Sequence, residues 1–532
     1  MPTLRSALGA GVLVLGLGGA GLAVYRGHAE KRAEVEARIE ARQQPVLMPA
    51  PGTPPRGLPV VSATGTERGK APRGHVDGVG LRSLLIHRKF DDLTMAVEQL
   101  QWGMEADPRN EHWMTDGMAA LGNGEPDSTE LLDAWVKASP DSFAPYTARG
   151  THWVTVGYLR RGTKYTKATA DEELAGMREA FERAMPDLQR AWRLQPKAIT
   201  VARPLLHVAL ALGDSEARER VLARAVEQCP TCVDILAVYL HGLAPRWGGS
   251  HEAMDAFAEA QTRTRPELGF LRGFSDYDRA RDRRVQSENT QIHELLTRAL
   301  SAGDYWEFRL ARAAQLRRAQ ALDEALAEVN QAVALRPARA SVYFERARIH
   351  FASEKWGPAG EDLLHALRMD AMDSGGRDLQ PQVVQGLIYA ASQALKAGQR
   401  EEALVLLELA GQLAPGDRQV TQWRAQAVAA PIQAAAQGDA APAESTDDFR
   451  VVQQRDYALA RERRFAEILP LWDAFLARNP EHGLAYFERS GTHYHLRNLE
   501  AALADLKKAC EFGVNEGCSR ARQLERARPT AR

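Results

Sequence analysis

The segment ALAEVNQAVALRP, from Ala325 to Pro337, decides the fold. Its order is Ala, three residues, a large apolar residue, two residues, Ala, four residues, Pro. The same order returns at Ala184, Leu188, Ala191 and Pro196, and at Ala403, Leu407, Ala410 and Pro415. Ala96, Leu100, Gly103 and Pro108 form a near copy. Ala359, Leu363, Ala366 and Ala502, Leu506, Ala509 repeat it without the proline. Steps of four and three place the apolar positions on one helical face. Small residues on that face allow a neighbouring helix to approach closely, and the proline ends the helix. A helix that recurs in this way predicts a stack of helices, an architecture that binds other proteins more often than it catalyses reactions.

A second helix accompanies the first. Pro337 is followed by Tyr343, Arg346, Ala347 and His350, and Pro480 by Tyr486, Arg489, Ser490 and His493 at the same offsets. Pro140 leads likewise to Tyr146, Arg149, Gly150 and Trp153. Ala325 and Ala359 lie one 34-residue period apart. Helix pair, small-residue register and period together resemble the tetratricopeptide (TPR) repeat family. The resemblance implies an all-α TPR-like solenoid whose first helices line a concave groove. Phe344, Arg348 and Phe351 in one repeat, and Phe487 and Tyr494 in another, are then partner-binding candidates. The chain departs from the family at Arg149, Arg346 and Arg489, where a Leu is expected. Each arginine is expected to pair with a carboxylate, Glu345 and Glu488 being available nearby.

The length of 532 residues exceeds one ordinary core and fits several domains or a long solenoid. Charged residues at 26% and apolar ones at 45% are those of a soluble globular body. A net charge of -1 argues against general nucleic-acid binding, which needs a basic surface.

Residues 6–25 carry no charge, are rich in Leu, Val, Ala and Gly, and are long enough to span a bilayer core. They predict one N-terminal transmembrane helix within residues 1–28, a cleaved signal being the alternative. A short tail before the anchor favours placing the soluble body on the non-cytoplasmic side. Gly16, Gly18 and Gly21 spell a G-x-G-x-x-G, but no strand precedes them, so dinucleotide binding is not expected. Gly16 with Ala20 and Gly19 with Ala23 are small-residue pairs suited to self-association of anchors.

Residues 29–79 read as a charged helix followed by a Pro/Gly-rich linker. Residues 80–275 form a helical domain with TPR-like repeats, 276–424 further repeats, 425–447 an Ala/Pro/Gln linker, and 448–532 a C-terminal repeat block. Residues 80–275 also resemble an uncharacterised bacterial domain family found beside TPRs, which implies no activity. Their first Tyr-Arg helix is followed by an excess of residues at 159–180, expected as a loop. It is basic through Arg160, Arg161 and Lys164, and so suited to an acidic partner, a phosphate or lipid headgroups. Pro245-Arg246-Trp247-Gly248-Gly249-Ser250 predicts a tight turn and a helix cap, with Arg246 and Trp247 as further binding candidates.

Cys229-Pro-Thr-Cys232 has the spacing of dithiol oxidoreductases, but its first cysteine sits at a helix C-terminus, where the dipole raises a thiol pKa. In an exported chain Cys229 with Cys232, and Cys510 with Cys518, are candidate disulfides. No metal-ligand, Walker, nucleophile-elbow or kinase pattern occurs, and no cofactor is expected. The sequence therefore favours a membrane-tethered scaffold or assembly factor for a protein or peptide partner. Two other classes stay open: an enzyme within residues 80–275, using the basic insertion or the C-x-x-C, and a structural envelope component.

Overall fold

The computed structural model describes residues 31–44, 76–282, 289–429, 449–461, 464–496 and 498–527. These fall into two compact units, divided at residue 432. In the first unit, α1 (31–43) is followed by α2 (Gly78–Ile86), α3 (Phe90–Ala106), α4 (Glu111–Leu121), α5 (Ser128–Ala138), α6 (Phe143–Arg161) and α7 (Asp171–Leu194). Then come α8 (Ala202–Leu212), α9 (Ser215–Gln228), α10 (Val233–Gly242), α11 (His251–Thr264), α12 (Phe274–Ala280) and α13 (Asn289–Ala302). The unit closes with α14 (Trp306–Arg318), α15 (Leu322–Leu335), α16 (Ala340–Ala352), α17 (Trp356–Met369), α18 (Ser374–Lys396), α19 (Arg400–Leu413) and α20 (Arg418–Ala429). The second unit holds α21 (Phe449–Arg461), α22 (Phe465–Arg478), α23 (Gly483–His495), α24 (Leu499–Glu511) and α25 (Asn515–Ala527).

The repeated triad is the spine of both units. Every one of its alanines, with Leu100, Leu188, Val329, Leu363 and Leu407, is at most 1% exposed. The helices that carry it are the second members of their pairs. The helices of one pair approach closely at Gly150 on α6, where a Cβ would stand 2.5 Å from Leu188 Cδ2 of α7. Pro196, Pro337 and Pro415 each follow their helix by two residues, where the ring ends the ladder without costing it a hydrogen bond.

The arginines that break the TPR pattern form a repeated cross-helix clamp. Arg346 holds Asp362 through two hydrogen bonds of 2.8 and 2.7 Å, and Arg489 holds Asp505 through bonds of 2.8 and 2.7 Å. Arg149 does the same to Asp187, at 2.7 and 2.8 Å. The expected partners Glu345 and Glu488 are not used: Glu345 accepts from Arg317 at 2.7 Å and Glu488 from Gln453 at 2.7 Å. A side chain leaving the first helix faces the second helix of its pair, not its own sequence neighbour. The tyrosine three residues earlier donates to the carbonyl of the turn proline, as in Tyr343 to Pro337 at 2.8 Å and Tyr486 to Pro480 at 3.1 Å.

The clamp also measures the insertion. Arg346 and Arg489 lie 16 residues before their aspartates, whereas Arg149 lies 38 before Asp187. The excess equals the stretch 159–180, but it is not the expected loop. It lengthens α6 and α7, leaving only residues 162–170 between them. Asp171, Glu172 and Glu173 in the first turn of α7 suit the positive end of its dipole, which explains why the added residues continue as helix.

The extension carries α1. Arg42 donates to the Arg160 carbonyl at 3.0 Å and to Glu173 Oε1 at 2.5 Å, and Val35 is 3% exposed. Arg377 of α18 donates to the carbonyls of Ala41, at 2.7 Å, and Gln44. The charged N-terminal helix is thus fastened to the repeats. Among the described residues no helix is long and apolar enough to cross a membrane. The expected anchor at residues 6–25 lies outside them.

Candidate functional site

Within the first unit the first helices of successive pairs wall one open cavity of about 710 Å³. Its lining comes from α4, α6, α8, α10, α12, α14 and α16, with the turn after α17. Among the second helices, only Met369 at the end of α17 contributes.

The wall at α8 follows from its sequence, ARPLLHVALAL. Pro204 lies in the first turn, where its missing N–H is harmless. Leu205, Leu206, Val208 and Ala209 are buried in the core, while Arg203, His207 and Leu210 line the cavity at steps of four and three. Tyr158 of α6 donates to the His207 carbonyl at 2.8 Å and fixes the two helices. Burial and the neighbouring Arg203 guanidinium push the His207 imidazole down to about 3, so the ring is neutral at pH 7.

Opposite α8 lies a buried ionic junction. Arg336, which follows α15, reaches Asp116 of α4 at 2.9 and 2.6 Å and Asp234 of α10 at 3.0 Å. Arg339 adds a third bond to Asp116, at 3.2 Å. Both guanidiniums lie over the Trp306 ring, 5.1 and 5.4 Å from its centre. Glu111 caps α10 from a distance, accepting from the Val233 and Asp234 amides. Burial and the nearby Asp234 raise its carboxyl well above the ordinary range. Further along, His241 Nε2 and Glu307 lie 3.0 Å apart, and Arg281 donates to the Tyr277 hydroxyl at 3.2 Å. At the far wall Asp370 accepts from the Met372 amide at 3.0 Å, and burial beside Asp373 raises its carboxyl to about 6.

Several expected residues reach this cavity. Trp247 and Arg246 line it, Arg161 lies 5.8 Å over the Trp247 ring, and Arg246 faces Asp278 at 3.6 Å. The turn that presents them needs its glycines: Gly248 has φ +88°, and a Cβ on Gly249 would stand 2.0 Å from the Leu243 carbonyl oxygen. Ser250 caps α11, accepting from the Ala253 amide at 3.1 Å. Arg160 is turned to the helix extension, where it bonds the Gly176 carbonyl and Glu179, both at 3.2 Å, and Lys164 is exposed on the turn.

Others are placed elsewhere. Phe344 is a correction to the expected groove: it is 1% exposed, in the core beside Gly376, because its position on α16 faces α17 and α18. Arg348 bonds Glu345 at 3.3 Å. Phe351 packs edge-on against Trp356, in a shallow depression shared with Tyr389. In the second unit Phe487 lies under Arg520, 5.0 Å away, while Tyr494 is exposed.

Sequence reasoning passed over Arg203, His207, Asp116, Asp234, Arg336 and Arg339. A signal for the first two was present: one Arg and one His, four apart, in an otherwise apolar helix. The cysteines form two disulfides, Cys229–Cys232 and Cys510–Cys518. The first joins the C-cap of α9 to the N-cap of α10, with its sulfurs buried away from any thiol in solution.

Residues 78–222 match a family described as "Domain of unknown function (DUF4034)", a match that ends before the Pro245–Ser250 turn. No curated protein matches the chain. Among solved structures, the TPR domain of P58(IPK) is 15% identical; the match covers 80% of this chain and 100% of that one, at TM-score 0.21. YrrB, a TPR protein with an unusual peptide-binding site, is 21% identical over 43% of this chain and 99% of its own, at TM-score 0.18. The Cut9 and Hcn1 hetero-tetramer of the APC/C is 11% identical over 84% and 95%, at TM-score 0.22. Those scores carry no superposition argument. The helix pairs, their buried Ala triads and their proline-ended second helices make this chain an all-α, TPR-like repeat protein.

Proposed function

We propose that the chain is a partner-binding scaffold whose first-helix face receives a segment of another protein. The observation that carries this reading is the wall itself: α4 to α16 turn their first helices, and the polar and aromatic side chains on them, toward one open space. A concave surface with a few placed polar groups among apolar ones is what ligand capture requires. We further propose that residues 6–25 tether the scaffold to a membrane and that its repeats lie on the non-cytoplasmic side. The two disulfides support an oxidising compartment.

The test is a crosslinked pull-down of the full, detergent-solubilised chain, read by mass spectrometry beside Leu310→Lys, which places a cation on the cavity wall. A stoichiometric partner lost in the variant is the expected result. A partner set that is the same in both, or no stoichiometric partner, overturns it.

A further inference from the structure

Three of the five acids that line the cavity are paired with a basic side chain. Asp116 and Asp234 are held by Arg336 and Arg339, and Glu307 lies against His241. Arg203 is different. It is half-buried only because the cavity itself is open, and no described residue accepts a hydrogen bond from its guanidinium. Burial and repulsion by Arg339 lower its pKa, yet a guanidinium stays charged at neutral pH. Asp234 and Glu307 attract it across the cavity but neither accepts a hydrogen bond from it, so its donors remain for an anion that something else supplies. One turn further along α8, the His207 ring also has no hydrogen bond within the described residues and points to the same space.

We infer that Arg203 and His207 receive one acidic side chain of the partner's bound segment. This rests on the scaffold reading above. A guanidinium fork binds a carboxylate through two parallel hydrogen bonds, and the neutral imidazole adds a donor. The walls beside the fork, including Leu210, Val238 and Leu310, suit apolar neighbours of that acid. The carboxylates of Asp370 and Asp373 line the cavity's other wall and disfavour a second anion. The space exceeds one side chain, and it opens onto the face shared by the first helices. It therefore fits a peptide with a single acid in an apolar frame, not a polyacidic tract.

The test is an array of short peptides with both termini blocked, probed with the full chain in detergent. A Glu in an apolar frame is compared with Gln, Lys and phosphoserine at that position. Glu is expected to bind about 10- to 100-fold better than Gln, the ordinary strength of a charge-assisted pair. The preference disappears in Arg203→Met, whose melting temperature is read alongside because Arg203 also attracts Asp234 and Glu307. Arg203→Lys keeps the charge without the fork and keeps part of the preference. Equal binding of Glu and Gln, or a preference retained in Arg203→Met, overturns the assignment. So does binding only of the phosphoserine peptide. Peptides that bind with no acid preference sink this inference and leave the scaffold standing; no bound peptide at all sinks both.

Discussion

Arg336 joins three parts of the chain that are far apart in sequence. Its partners Asp116 and Asp234 lie 220 and 102 residues away, and all three side chains are buried. Replacing Arg336 with Met keeps the volume and removes the charge. Asp116 retains Arg339 at 3.2 Å, but Asp234 loses the guanidinium that hydrogen-bonds it and keeps only the more distant Arg203. Breaking a buried pair by removing one member costs about 3–5 kcal/mol. With Asp116 still paired, the lower end, about 3 kcal/mol, is expected. The sign with pH is informative. Burial alone would raise Asp234, yet Arg336 and Arg203 hold its carboxyl well below the ordinary range. That contribution is present above the unfolded value and is lost as pH falls. Without Arg336 the carboxyl rises, so the variant is weakest at neutral pH and approaches the wild type as the buffer is acidified. Denaturant unfolding of the full chain at pH 7.5 and pH 5 measures both effects. A loss within about 0.5 kcal/mol at pH 7.5, the size of an ordinary surface change, would refute the reasoning.

Gly150→Ala places a methyl group against Leu188 and should cost about 1–3 kcal/mol in thermal unfolding, part of which Leu188→Ala restores. Asp370 has a raised carboxyl pKa, so its contribution is present below the unfolded value near 4 and is lost as pH rises through about 6. Asp370→Asn should therefore stabilise by roughly 1–3 kcal/mol at pH 7.5 and do little at pH 4; a melting-temperature series over pH decides it. Arg42→Ala strips the buried Glu173 of its guanidinium partner and should release α1, seen as new tryptic cleavage at Arg32 and Arg38 while the repeats stay intact.

How much of this was legible follows from where each signal sits. The Ala triads and the proline stops are local patterns, and a residue order shared by six segments is hard to mistake; the same residues are the buried spine. Likewise Gly248, Gly249 and Ser250 announce a turn and a cap because backbone conformation is set by near neighbours. The clamp was half visible. Arg346 and Arg489 demanded carboxylates, but the partner chosen depends on the helix each faces, and Glu345 and Glu488 were nearer in sequence only. The residues of the cavity were harder still. Arg336 reads as an ordinary helix-end arginine until α4 and α10 are folded beside it. Phe344 looked like a groove aromatic because the repeat register alone does not say which side of a first helix α18 covers. The lengthening of α6 and α7 was hidden for the opposite reason: an excess over a repeat period is counted easily, but the count does not say whether it is loop or helix.

The central claim is that the face built from the first helices is where a partner sits. Its most direct test is a photo-crosslinking amino acid placed at Leu310 on the cavity wall, and separately at Val405, exposed on α19, in the full chain in its native cells. The account predicts one discrete crosslinked species from Leu310 and none from Val405. Crosslinks from Val405 alone, or the same species from both positions, would contradict it.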